Sequence, residues 1–187
     1  MIHRFISGKS GLAVARGVVG LVLGACGALA VHPVFAQGKP AEVKATVRFT
    51  SVSLEAAQLA AQAALADCRK RGATVSVAVT DRFGVPLALL RDPLAGMHTP
   101  DTATRKAWTA ISFKSSTTEL VSQTAPATAS HGIRTLPQVA VIGGGLLLQA
   151  AGSIVGAIGV SGAPNGDMDD ACAKAGINAI IDLLELG

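Results

Sequence analysis

The stretch from Gly72 to Arg91 limits the possible folds more than any other part of the chain. Over Thr74–Thr80, Val75, Val77 and Val79 alternate with small residues, so one face is apolar at a period of two. That period belongs to a strand. Asp81-Arg82-Phe83-Gly84 reads as a turn, and Val85 to Arg91 as a second strand. Pro86 near its start suits an edge strand or a strand beginning. Two strands joined this closely form a hairpin, which commits the sheet to antiparallel pairing. A helix precedes them. Leu54, Ala57, Ala61, Ala64, Leu65 and Cys68 recur at helical spacing, with Ser53 as N-cap, Glu55 in the first turn and Gly72 as the stop. The predicted helix is 54–71.

The rest follows the same punctuation. Asp92 to Pro100 reads as a loop holding His98. Asp101 to Phe113 is a predicted helix with Ala103, Ala107, Trp108, Ala110 and Ile111 on its apolar side. Ser115–Thr118 caps a short helix from Glu119 to about Thr124, and 125–137 is a loop. Val139–Ile142 and Leu146–Gln149 read as short strands on either side of Gly143-Gly144-Gly145. Ile154–Ser161 is a further strand, and Val43 to Phe49 a short extended piece. Asp167 or Asp169 caps a last helix running to about Leu184. Helix, two strands, helices, three strands and helix make an α+β domain: a mainly antiparallel sheet of about five strands flanked by helices.

The N-terminal segment is set apart from this domain. Arg4, Lys9 and Arg16 precede an apolar run from Val18 to Val31, and Val34-Phe35-Ala36 ends in a small residue. That order is a secretory leader, cut after Ala36. The run, about 14 residues, is shorter than the roughly 20 of a spanning helix. The domains are then 1–36 leader, 37–52 tail with a short extended segment, and 53–187 globular domain. The expected location is periplasmic or extracellular, with no transmembrane segment after cleavage. Leu23-Gly24-Ala25-Cys26 supplies an alternative, a lipoprotein cut before Cys26. The chain's net charge is +4, and three of its cations lie in the leader. The remainder is nearly neutral and offers no basic face to nucleic acid; Arg69-Lys70-Arg71 sits at a helix end, where cations suit the dipole. Of the later cysteines, Cys68 and Cys172 both fall in Ala-rich helices. Buried thiols are the expectation and a bridge is the alternative.

Few residues point to chemistry. The glycine clusters at 143–145 and 156–162 match neither GxGxxG at a strand-to-helix turn nor GxxxxGK[ST], so they read as tight turns and close backbone approaches. Ser161 lies outside a GxSxG frame, and only His98 and His131 follow the leader as bases. A serine triad is therefore unsupported. Asp167, Asp169 and Asp170 cluster at a helix start, where capping is the expectation and weak iron or calcium binding the alternative. The segment Arg105-Lys106-Ala107-Trp108-Thr109-Ala110 is more informative. Trp108 offers an apolar wall, Arg105 or Lys106 a cation, and Thr109 or His98 a polar or coordinating atom. A flat apolar ligand with carboxylates needs those three things.

Leu54-Glu55-Ala56-Ala57, the Val75–Asp81 strand with Phe83-Gly84, Arg105 to Ala110, Gly143 to Gly145, Gly156 to Gly162 and the tail Ala163 to Asp170 occur in the order seen in GlcG/HbpS-like proteins. The chain resembles the secreted haem-binding members of that family over about residues 50–185. The resemblance implies a profilin-like sheet flanked by helices, and assembly into homo-oligomers from dimers to octamers. It implies haem as the cofactor, with Thr109 or His98 as candidate axial ligand and Arg105, Lys106 and Trp108 around it. The function it implies is reversible haem capture, with a role in haem and iron handling or oxidative-stress sensing. Two alternatives stay open. One is an enzyme, acting on a small molecule or through haem-dependent peroxide or haem-degrading activity. The other is a structural or sensory partner of another exported protein. The chain departs from many relatives in having no Tyr.

Overall fold

The computed structural model describes residues 43–186, so the predicted leader over 1–36 lies outside the described residues. Of two compact units, Met1–Lys44 and Ala45–Gly187, the second carries the described elements. They are α1 (Leu54–Lys70), β1 (Ser76–Asp81), β2 (Pro86–Arg91), α2 (Thr99–Phe113), α3 (Thr117–Gln123), a 3-10 turn (His131–Thr135), β3 (Gly145–Ala150), β4 (Ser153–Ser161), α4 (Gly166–Asn178) and α5 (Ile181–Leu186). Among the described residues the sheet has four strands in the order β2-β1-β4-β3, each pair antiparallel.

The alternation read from the sequence decides what each face meets. Val75, Val77 and Val79 join Ile158 and Val160 in one core with α1 and α4. Ser76, Ala78 and Thr80 occupy the intervening positions, and Ser76 Oγ lies 2.8 Å from Thr99 Oγ1 of α2. That second face is lined with small residues, and α2 settles on it through Ala107, Ala110 and Ile111 against Ala157. Gly159 sets the closeness. A Cβ there would stand 2.0 Å from the Ala103 carbonyl oxygen, so helix and strand backbones touch where no side chain fits. On the other side, a Cβ at Gly176 of α4 would come within 2.6 Å of the Ala60 oxygen of α1. The glycines are thus close approaches between layers, as well as turns.

Several expectations are corrected. Val139–Ile142 is not a strand, so the sheet has four strands rather than about five. Its backbone groups bond to α2 instead: Ala140 N–H donates to Thr109 Oγ1 at 2.9 Å, and Arg105 takes the Gln138 and Val139 carbonyls. Residues 43–49 form no regular element. The second helix starts at Thr99 with His98 as its N-cap, because Pro100 suits the first turn. Ser116 caps α3 in a reciprocal box with Glu119, whose carboxyl the Ser115 hydroxyl and the Ser116 N–H hold below its ordinary range. Asn165, rather than Asp167 or Asp169, caps α4, and the last helix breaks at Ala179–Ile180. Cys68 and Cys172 are bonded to each other, tying α1 to α4. The bridge replaces the expected buried thiols because the close packing of α1 on α4 at Gly176 brings the two Cα atoms to 5.4 Å, within disulfide range.

Candidate functional site

Helix α2 positions most of the residues singled out, and it divides them. His98, Thr102 and Lys106 succeed one another at intervals of four, so they share a side. They line a cleft of about 400 Å³ whose other wall is the β4–α4 junction, Ser161 to Gly166, with Ile142 and Asp169. Asp101, Thr104, Arg105 and Trp108 face a smaller hollow of about 310 Å³ against Gly84, Val85, Pro86 and Gln138. The expected single constellation therefore divides: His98 and Lys106 line one hollow, Arg105 and Trp108 the other, and Thr109 lines neither.

Lys106 is 1% exposed, which a lysine tolerates only when paired. Its Nζ donates to Asp169 Oδ2 at 2.7 Å and to the Val160 carbonyl at 2.8 Å. Burial pushes the Asp169 carboxyl above its ordinary value; the Lys106 charge and hydrogen bond, and the Ala163 N–H, pull it back. Asp170 works beside it. Its carboxylate accepts from Gly144 N–H at 2.6 Å and from the Thr118 hydroxyl. Gly144 has φ +116°, and a Cβ there would meet the Val160 oxygen at 2.5 Å and Lys106 Nζ at 3.0 Å. This polar knot fastens α2, β4, α4 and the 139–144 segment around the floor of the cleft. No buried side-chain polar atom among the described residues lacks a partner.

Thr109 is fully buried, and its hydroxyl oxygen is occupied by Ala140 N–H. His98 is exposed, and its side chain makes no capping bond to α2. The loop before it carries Leu94 and Met97, 86% and 94% exposed. Arg105 also lies 3.8 Å from Asp101, a loose surface pair. Trp108 is half-buried, and a Cβ at Gly84 would touch it at 2.9 Å. His131 sits in the 3-10 turn with Nδ1 3.2 Å from the Thr124 oxygen, away from the cleft residues.

The three carboxylates offered as an alternative cation site, Asp167, Asp169 and Asp170, have different surroundings. Asp169 is spent on Lys106, Asp170 on Gly144 and Thr118, and Asp167 is exposed. No group of three or more His, Cys, Asp or Glu among the described residues is placed to hold a metal. What sequence reasoning missed is the Lys106–Asp169 pair. The signal was present: a lone cation between Ala103, Ala107 and Ala110 on a side that otherwise faces the sheet.

Comparison with known proteins places this geometry. The family model described as "Haem degrading protein HbpS-like" matches residues 52–178. The crystal structure of HbpS is 40% identical, with a TM-score of 0.69, over 73% of this chain and 94% of that one. A Klebsiella pneumoniae protein, ORFY, is 27% identical at a TM-score of 0.71, over 74% of this chain and 97% of that one. PduOC, solved as a haem complex, is 28% identical at 0.66, over 70% of this chain and 96% of that one. The corrinoid adenosyltransferase PduO of Citrobacter freundii is 33% identical over 68% of this chain, and the chain spans only 39% of that protein's length. No described helix is long and apolar enough to cross a membrane. The family match covers most of the domain, and the chain belongs to the HbpS-like family.

Proposed function

We propose that this chain is an exported haem-binding protein that captures haem reversibly at the cleft beside His98. The observation that carries the reading is the haem complex of PduOC, a relative of the same fold at 28% identity. The residues at the cleft suit such a ligand. His98 presents an exposed imidazole, the commonest protein ligand of haem iron, at the mouth of a cleft whose volume falls in the usual small-molecule range, roughly 300–1,000 Å³. Ile142, Ala163 and Pro164 supply apolar wall; Thr102 and Asn165 supply hydrogen bonds. Lys106 and Asp169 hold the floor and are not free to ligate. Thr109 would reach a ligand only if the 139–143 segment lifts from α2. Arg105 and Trp108 would serve a macrocycle edge extending over α2 toward the smaller hollow. Bound haem supplies an iron centre with a redox couple, and the chain supplies the imidazole, the apolar wall and the exclusion of bulk water.

Two features support export: the leader-like order of residues 1–36, and the Cys68–Cys172 bond, since such bonds persist in oxidising compartments. The reading includes a homo-oligomer, as the family resemblance implies. It places the chain in haem and iron handling or oxidative-stress sensing. The family's description favours a second reading, haem degradation. Haemin titration of residues 37–187 tests both. Saturable growth of a shifted Soret band, stable for hours under peroxide, fits capture. Bleaching of that band with release of iron fits degradation, and an unshifted band rejects both.

A further inference from the structure

Residues 43–49 read Val-Lys-Ala-Thr-Val-Arg-Phe: apolar at Val43, Ala45, Val47 and Phe49, polar between. This is a strict strand pattern rich in β-branched residues, yet the segment belongs to no element, and Val43 and Val47 are 92% and 72% exposed. The first backbone-to-backbone hydrogen bond of the described chain is at Val52, to Val155. The sheet meanwhile has two free edges. β2 is defended by Pro86, which has no N–H, and by Arg91. β3, Gly-Leu-Leu-Leu-Gln-Ala, has neither charge nor proline. Its leucines pack into the two cores, and Gly145 has a hydrogen-bond partner outside the sheet, the Thr117 hydroxyl. An apolar, undefended edge of this kind is a template for another strand.

We propose that residues 43–49 of one copy of this chain add as an outer strand to the β3 edge of a second copy. The path of the chain excludes its own edge. From Val52, bonded to Val155 of β4, Ser51 and Thr50 run to Arg82, whose N–H donates to Ser51 Oγ and whose guanidinium donates to the Thr50 oxygen. Phe49 then packs edge-on against Phe83, centroids 5.4 Å apart, with Arg82 4.8 Å from the Phe49 ring centre. The segment leaves the sheet at the β1–β2 turn, on the side away from β3. From there a position outside β3 lies at least three strand spacings away, about 14 Å at about 4.8 Å per strand, which would consume most of the roughly 20 Å that residues 43–48 can span and leave too little to pair. A second copy meets no such limit. Haem plays no part in this pairing, so it stands or falls separately from the proposed function.

The test uses protein purified from cells expressing the full chain. An Arg48→Cys variant is mixed with a Gln149→Cys variant, each also carrying Cys26→Ser, and treated with a short bis-maleimide; both sites are exposed, and Cys68 and Cys172 are bonded to each other. The expected result is a two-chain product containing one of each variant, together with slow amide exchange over 43–49 in the untreated assembly. Val47→Pro, at an exposed site, is expected to weaken assembly at least tenfold while leaving the far-ultraviolet spectrum unchanged. Fast exchange over 43–49 in the unmodified protein overturns the proposal whatever the variants do. So does linkage within single chains of the Arg48→Cys/Gln149→Cys double variant, or mixed linkage to Leu89→Cys on β2 in place of Gln149→Cys.

Discussion

At the scale of single residues, the Lys106–Asp169 pair governs the floor of the cleft. A buried pair is costly to break because one charge is left without a partner. Lys106→Met is expected to destabilise the domain by about 3–5 kcal/mol, and Lys106→Met with Asp169→Leu by less, as read by urea unfolding. The pH dependence has a definite sign. Burial already holds the folded Asp169 carboxyl above its unfolded value, and removing Lys106 raises it further. The folded state then binds the proton more tightly than the unfolded one, so stability is fully present below the unfolded carboxylate range and falls as pH rises through the folded value. The Lys106→Met penalty should therefore shrink on acidification; a penalty constant from pH 4 to pH 8 contradicts the pairing. The sequence hinted that Lys106 is buried, by setting it among alanines, but not what it pairs with. Lys106 and Asp169 are 63 positions apart, and nothing local names the start of a distant helix as the element that supplies the partner.

At the scale of elements, local chemistry carried most of the reading and failed where partners were remote. The periods of α1, β1, β2 and α2 are set by each segment's own residues, so their existence was legible, with ends shifted by two residues or fewer. Residues 139–142 have the composition of a strand but bond to Thr109 and Arg105, which periodicity cannot show. Glycine roles were half legible: close approach was expected, but its partner, α2, was not. Gly159→Ala should cost about 1–3 kcal/mol through the collision with Ala103, whereas Gly132→Ala, which meets nothing within 4 Å, should stay within about 0.5 kcal/mol. Comparable melting temperatures for the two would contradict the contact. The Cys68–Cys172 bond joins residues 104 apart. Replacing both cysteines by alanine should lower stability by about 2–5 kcal/mol, and a reductant should reproduce that loss in the unsubstituted protein.

At the scale of the whole molecule, a two-faced sheet with small residues beneath α2 and valines beneath α1 and α4 leaves the cleft as the place where a helix start, a strand end and a helix cap converge. The family resemblance, rather than any motif of catalytic type, pointed to haem, because a binding face made of one imidazole and apolar walls has no fixed spacing in sequence. The proposed function requires haem on the His98 side of α2. It is tested most directly by haemin titration of the unsubstituted protein, His98→Ala and Trp108→Ala, followed at the Soret band. The expected result is saturable binding whose spectrum changes and whose affinity falls at least tenfold, about 1.4 kcal/mol, with His98→Ala, and a smaller loss without spectral change for Trp108→Ala. An unchanged spectrum and affinity for His98→Ala would contradict it.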